Sequence, residues 1–366
     1  MKTLCVVTGT RAEYGLLKGL LGEIKDSEDY QLLLFVTGSH LEEKHGYTYK
    51  VIEGDGFEIS EKIPMALDDD TAAGITRSMA KEMAGLAGCF ARHVIDVVIV
   101  LGDRYEMLVA AQVALINNID VWHFCGGDVT RGAYDDAIRN AITKMAKRHF
   151  VTCQSSYNNI LRMGENREDV RLVGNPGLSD IVGFVAMGED DLYKALGIRV
   201  RDRLILVVNH SETLLKREDN ETNMNILCEA LAGMRDFGRT AVVFVHPNAD
   251  NDNEYIRTRI CGLVDKYDNV HAFPSLERDL YLSVLYYSDC IVGNSSSGIY
   301  EAPLLGKVTL NLGGRQSGRE CGNTVIHIAY DAAAICRQLD NIPLVRKATY
   351  PYLVRSHSQI FSMLDT

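Results

Sequence analysis

Nine cysteines are present, an odd number, and none forms a Cys-x-x-Cys pair. That argues against a disulfide framework or a zinc ribbon and for a reducing, cytoplasmic setting. The ten histidines are dispersed, with no His-Glu-x-x-His and no His-x-x-x-His, so no metal centre is expected. Gly-x-Gly-x-x-Gly is missing after the first strand. The turn there is Thr8-Gly9-Thr10-Arg11, which speaks against a bound dinucleotide. A Walker loop with Gly-Lys-Ser/Thr is also missing. Basic residues are in deficit, 38 Lys and Arg against 49 Asp and Glu, for a formal charge of −11. Such a chain is a poor ligand for nucleic acid or an anionic membrane. No segment has the apolar length of a membrane span, and Met1 and Lys2 run directly into a short strand, Leu4 to Val7, too short for a signal peptide. Residue-level repeats, low-complexity tracts and heptads are likewise lacking.

What is present is a steady alternation. The chain has 366 residues, 46% of them hydrophobic, enough for two domains with a core each. Leu32 to Val36, Val97 to Leu101, Val121 to Phe124 and His149 to Thr152 are continuous apolar runs, as expected of parallel strands buried on both faces. Tyr14 to Ile24, Ala73 to Arg92, Glu106 to Ile116 and Asp135 to Lys147 have helical periodicity. The rhythm restarts after Asn175-Pro176-Gly177. Strands are expected at Leu204 to Asn209, Ala241 to His246, Val270 to Phe273, Cys290 to Val292 and Val308 to Leu312. The predicted fold is α/β, two doubly wound Rossmann-like domains whose parallel sheets face a central cleft. The boundaries are 1–175 for an N-terminal domain and 176–351 for a C-terminal one. The last segment, 352–366, is expected to pack back on the first domain.

Ligands of such sheets bind at the carboxyl ends of the strands, and polar residues gather at those ends. The run Gly293-Asn294-Ser295-Ser296-Ser297-Gly298 puts three hydroxyls between two glycines at an expected helix start. Glycine allows close backbone approach, and a helix N-terminus offers free N–H groups, so the run is suited to an anion such as a diphosphate. Glu301, one turn on, is suited to accept hydrogen bonds from ribose hydroxyls. Arg11 is a candidate clamp for phosphate or carboxylate. Asp103 follows Gly102 at a strand-to-helix turn, and Asp135 opens a helix that carries Arg139 one turn later. N-capping is the structural alternative for both. Gly126-Gly127-Asp128 lies just upstream, so three carboxylates can converge. Crowded carboxylates raise one another's pKa, which suits proton transfer near neutral pH. His210 ends a strand between Asn209 and Ser211, a placement that favours ligand contact.

Six segments together resemble the UDP-N-acetylglucosamine 2-epimerase family, in its hydrolysing branch of bacterial sialic and legionaminic acid biosynthesis. They are Thr-Gly-Thr-Arg-Ala-Glu-Tyr-Gly at 8–15, Gly-Asp-Arg at 102–104, Gly-Gly-Asp at 126–128, Asp-Asp-Ala-Ile-Arg-Asn-Ala-Ile-Thr-Lys at 135–144, Gly-Asn-Ser-Ser-Ser-Gly at 293–298 and Gly-Gly-Arg-Gln-Ser-Gly-Arg-Glu at 313–320. The resemblance implies a pair of Rossmann-like domains of GT-B type with UDP held mainly by the second. It implies that Ser295, Ser296, Asn248 and Ser275 line the UDP site, with Glu301 at the ribose and Arg11 at the diphosphate. Asp103 and Asp135 would transfer protons, with His210 at the sugar or leaving group. At Cys125 relatives often carry Glu or His, so that acid/base role would shift to Asp128, itself an Asp where Glu is more usual. The implied reaction eliminates UDP in the anti sense and hydrates a glycal, giving N-acetylmannosamine and UDP from UDP-N-acetylglucosamine. UDP-2,4-diacetamido-2,4,6-trideoxy-glucose (UDP-diacetylbacillosamine) is the alternative substrate. A non-hydrolysing UDP-sugar 2-epimerase, a GT-B glycosyltransferase and a nucleotide-sugar sensor are the rival readings. Neither NAD nor a metal is implied, no nucleic-acid or membrane partner is expected, and a homo-oligomer, dimer or tetramer, is.

Overall fold

The apolar runs of the first half become seven strands: β1 (Lys2–Thr8), β2 (Tyr30–Val36), β3 (Glu61–Lys62), β4 (Val97–Leu101), β5 (Asp120–Phe124), β6 (Arg148–Val151) and β7 (Val170–Leu172). A computed structural model describes residues 1–247 and 253–365, the side chain of Asn253 excepted. It divides into two compact units. The first holds Met1–Val129, Tyr134–Val182 and the chain from Tyr352 onward. Its strands pair in parallel in the order β3-β2-β1-β4-β5-β6-β7. Side chains alternate across a strand, and β1 obeys this. Leu4 and Val6 enter one apolar cluster, while Cys5 and Val7 enter another on the opposite face. That is why the strand is apolar without interruption.

Helices cover both faces: α1 (Arg11–Lys25), α2 (Tyr49–Gly54), α3 (Ala72–Phe90), α4 (Tyr105–Ile116), α5 (Asp135–Met145) and α6 (Gln154–Arg162). In α1 the residues Tyr14, Leu17, Leu20, Leu21 and Ile24 are buried, the i, i+3, i+4 stripe of a core-facing helix. Its start is fixed twice. Thr10 Oγ1 accepts the Glu13 N–H at 3.2 Å, and Glu13 Oε2 accepts the Gly9 N–H at 2.8 Å. A last short helix, His357–Phe361, joins this unit, with Ile360 and Leu364 buried in the β1/α1 cluster.

The second unit holds Thr130–Ala133 and Gly183–Pro351. Its strands are β8 (Arg203–Val208), β9 (Thr240–Val245), β10 (Val270–Phe273), β11 (Cys290–Gly293), β12 (Val308–Leu312) and β13 (Val325–Ile328), again all parallel, in the order β10-β9-β8-β11-β12-β13. Ile205 and Val207 of β8 face one cluster, and Leu204, Leu206 and Val208 face the other. The helices are α7 (Glu189–Leu196), α8 (Arg217–Ala232), α9 (Asn253–Lys266), α10 (Arg278–Tyr287), α11 (Ser297–Tyr300) and α12 (Ala332–Asp340). In both sheets strand order reverses beside the first strand of the unit, between β1 and β4 and between β8 and β11. Such a reversal opens a crevice at the carboxyl ends of the flanking strands. No described helix is long and apolar enough to cross a membrane.

Candidate active site

In the first unit the loops at the reversal gather around one guanidinium. Gly102 follows β4 with φ +81°, and the buried His123 of β5 sits against it. His123 Nε2–H donates to the Gly102 carbonyl at 2.7 Å, leaving Nδ1 to accept from the Thr143 hydroxyl at 3.2 Å. Burial pushes the His123 pKa down to about 4, so the ring is neutral, as this tautomer requires. The next residue, Asp103, forms an ion pair with Arg139. Arg139 is only 1% exposed. Its Nη1 donates to the Asp128 carbonyl at 2.7 Å and to Asp136 Oδ1 at 3.3 Å. One side chain on α5 thus ties together the turn after β4, the loop after β5 and its own helix start. A buried guanidinium needs such partners, because its charge is costly to strand.

Asp128 is 7% exposed. Its Oδ1 accepts the hydroxyls of Thr152 at 2.8 Å and Ser156 at 2.5 Å. The preceding Gly127 has φ +78°, and a Cβ there would lie 2.3 Å from the Ser156 carbonyl, so only glycine fits. Asp135 is the first residue of α5 and half-buried. Arg139 is bonded to its neighbour Asp136, a residue sequence reasoning passed over. Cys125 also has a left-handed backbone, φ +62°, and its side chain belongs to the apolar cluster with Tyr14, Leu17 and Phe124.

Arg11 opens α1 and is half-buried. The first unit also buries three carboxyls that the sequence did not reveal: Glu13, Glu82 and Glu106. Arg104 grips Glu106 through two bonds of 3.0 Å, so this arginine serves the fold beneath the loop. Burial raises the Glu13 pKa from 4.5 to about 8 and drives that of Glu82 well up, and the Glu106 carboxylate adds to both.

In the second unit Gly293 ends β11 with φ +129°, and a Cβ there would lie 2.1 Å from the Val208 carbonyl. The glycine lets β11 close on the end of β8. Asn294 then locks the two together: its Oδ1 accepts the His210 N–H at 2.8 Å, and its Nδ2 donates to the His210 carbonyl at 2.9 Å. His210 and the serine run therefore share one rigid seat. Gln316 Nε2 secures the Asn294 carbonyl at 2.8 Å, and both carboxylate oxygens of Glu212 accept the Gly314 N–H at 3.1 Å. Ser295 and Ser296 are half-buried, and Ser295 Oγ accepts the Ser297 N–H at 3.3 Å. The expected helix after them is a single turn, Ser297–Tyr300, continued by a 3-10 turn, Ala302–Leu305. Its dipole is correspondingly small, and what the run offers is hydroxyls and backbone N–H groups. Glu301 is buried and bonded to Arg278 and to the Ser297 hydroxyl. Ser275 is half-buried just past β10. Asn248 lies outside the described residues. Among the described residues no group of three or more His, Cys, Asp or Glu side chains is arranged to hold a metal.

Residues 22–359 match the family model for UDP-N-acetylglucosamine 2-epimerase. The GDP/UDP-N,N'-diacetylbacillosamine 2-epimerase (hydrolyzing) of Campylobacter jejuni is 34% identical over 319 residues, 87% of this chain and 82% of that protein. The UDP-N,N'-diacetylbacillosamine 2-epimerase (hydrolyzing) of Legionella pneumophila is 34% identical over 334 residues, 91% and 87% of the two chains. The crystal structure of UDP-GlcNAc 2-epimerase from Neisseria meningitidis bound to UDP-GlcNAc superposes with a TM-score of 0.81 at 20% identity, covering 100% of both chains. That likeness establishes the fold, two Rossmann-like domains of GT-B type. The strand-end carboxylates and the serine run thus sit in a chain that belongs to the UDP-N-acetylglucosamine 2-epimerase family, on its hydrolysing branch.

Proposed function

We propose that this UDP-sugar 2-epimerase is hydrolysing: it consumes water and releases UDP and the free 2-epimeric sugar. The proton-transfer part of the reading is carried by the buried Arg139 joining the Asp103 and Asp128 loops at the head of α5, and the hydrolytic part rests on the names of the two bacterial relatives at 34% identity. Inversion at carbon 2 needs one group to take a proton and another to return one on the opposite face, and this cluster supplies several carboxylates within one network. In this reading a carboxylate among Asp103, Asp128 and Asp135 removes the carbon-2 proton. The carbon-1 to oxygen bond then breaks, its electron pair leaving with UDP, and a glycal forms. Water adds at carbon 1 and a second carboxylate delivers a proton to carbon 2. Ser295, Ser296, Ser275, Asn248 and Arg11 bind the UDP moiety and stabilise the anion as it departs. His210, seated by Asn294, assists at the leaving group. Glu301 receives the ribose by exchanging its bonds to Ser297 and Arg278 for ribose hydroxyls.

For the sugar we propose UDP-N,N'-diacetylbacillosamine first, on the strength of the names of the two bacterial relatives at 34% identity. UDP-N-acetylglucosamine is the second reading, favoured by the family description. Both proceed through the same steps at carbons 1 and 2. The test is turnover of each sugar nucleotide with separate assay of UDP and sugar. Free UDP with an equal amount of free sugar supports hydrolysis. A 2-epimeric UDP-sugar still carrying its nucleotide would replace the proposal with the non-hydrolysing reaction. We also propose a cytoplasmic setting and a homo-oligomer, dimer or tetramer.

A further inference from the structure

We propose that Thr152 and Ser156 are positioning residues for Asp128, two hydroxyls that hold one carboxylate oxygen and so fix the orientation of the group. The inference rests on the acid/base role proposed for Asp128. Thr152 follows β6 and is completely buried, and Ser156, in the first turn of α6, is nearly so. Each hydroxyl has one proton, and both protons point at Asp128 Oδ1, at 2.8 and 2.5 Å. A carboxylate oxygen has two lone pairs in its plane, and here both are engaged. The orientation of the carboxyl group is then set by these two bonds.

The hydroxyls are themselves directed. With its own proton committed to Asp128, Ser156 Oγ accepts from the Cys153 thiol at 3.1 Å. The same helix holds the backbone beside Asp128: Asn159 Nδ2 donates to the Gly127 carbonyl at 2.9 Å. Arg139 secures the Asp128 carbonyl from α5 at 2.7 Å. Side chain and main chain of Asp128 are thus fixed from β6, α6 and α5 together. An aspartate is one methylene shorter than a glutamate and reaches less far. Fixing its orientation in this way supplies the alignment that a proton transfer needs.

The experiment compares Thr152→Val, Ser156→Ala and the double variant with Asp128→Asn. Thr152→Ser serves as the conservative control. Readouts are kcat, KM, UDP affinity by calorimetry, and deuterium uptake at carbon 2 of substrate recovered from deuterated water. Each single variant is expected to lower kcat and carbon-2 exchange about tenfold, the net worth of one well-placed hydrogen bond. KM and UDP affinity should stay within about twofold, and Thr152→Ser should regain most of the wild-type rate. Thr152→Ser and Ser156→Ala change volume least, so they keep the test usable if the double variant does not fold. An inactive Asp128→Asn beside single variants with wild-type kcat and exchange overturns the positioning role alone. Wild-type turnover by Asp128→Asn withdraws the acid/base assignment and the inference with it.

Discussion

Among single residues, Arg139 joins the most parts of the candidate site. The sequence places it one turn after Asp135 and so suggests a local pair. Folding makes it the partner of Asp103, 36 positions away, and of Asp136 and the Asp128 carbonyl. Hydrogen bonds between loops on different strands leave no spacing to read, and that is why the hub stayed hidden while its carboxylates did not. Asp103→Asn and Asp135→Asn are each expected to cut kcat by about 10²–10⁴-fold, the usual worth of a general acid or base. UDP affinity, measured by calorimetry, should be nearly unchanged. Full activity in both variants would remove the proton-transfer roles. Glu301→Ala should weaken UDP binding about tenfold or more, and it should also lower the melting temperature, because the Arg278 guanidinium loses its carboxylate. An unaltered Kd would mean that Glu301 serves only Arg278 and Ser297.

Among the elements, the strands buried on both faces were the most legible. β1, β4, β5, β8 and β11 announce themselves as short apolar runs, because a parallel sheet covered by helices has no polar face. The edge pieces β3, β7 and β13 were missed. β3 is two charged residues, Glu61 and Lys62, and β13 has a half-exposed pattern, so neither has a periodic signal. α6 was missed as well. Its run Gln154-Ser155-Ser156-Tyr157-Asn158-Asn159 is polar, and only Ser156 and Ile160 are buried. The hydroxyl that holds Asp128 sits in that stretch, out of reach of any argument from hydrophobic pattern. α11 was expected to be a longer helix, and it ends after one turn, before the 3-10 turn that contains Pro303. The tight fit of α6 under the Asp128 loop gives a direct check. Gly127→Ala forces a left-handed residue with a Cβ against the Ser156 carbonyl, a cost of roughly 1–3 kcal/mol. Thermal melting should record the loss, and kcat should fall further than the drop in folded fraction explains, since Asp128 moves with its neighbour.

Across the molecule, the net charge of −11 conceals an acidic interior in the first unit. Glu13, with a pKa of about 8 in place of 4.5, binds a proton in the folded state that the unfolded chain gives up. Stability from this group is fully present below pH 4.5 and is lost as pH rises through 8. The wild-type melting temperature should therefore fall between those limits, and Glu13→Gln, which cannot ionise, should flatten the slope while keeping an acceptor for the Gly9 N–H. Identical pH profiles for the two proteins would contradict the burial argument.

In the proposed reaction the carboxylates joined by Arg139 move protons at carbon 2 while UDP is expelled into water. Proton NMR in deuterated water tests it in one tube, first with UDP-N,N'-diacetylbacillosamine and then with UDP-N-acetylglucosamine. The predicted result is free UDP together with the free 2-epimeric sugar carrying deuterium at carbon 2. A 2-epimer that keeps its UDP, or a product that keeps protium at carbon 2, would contradict it.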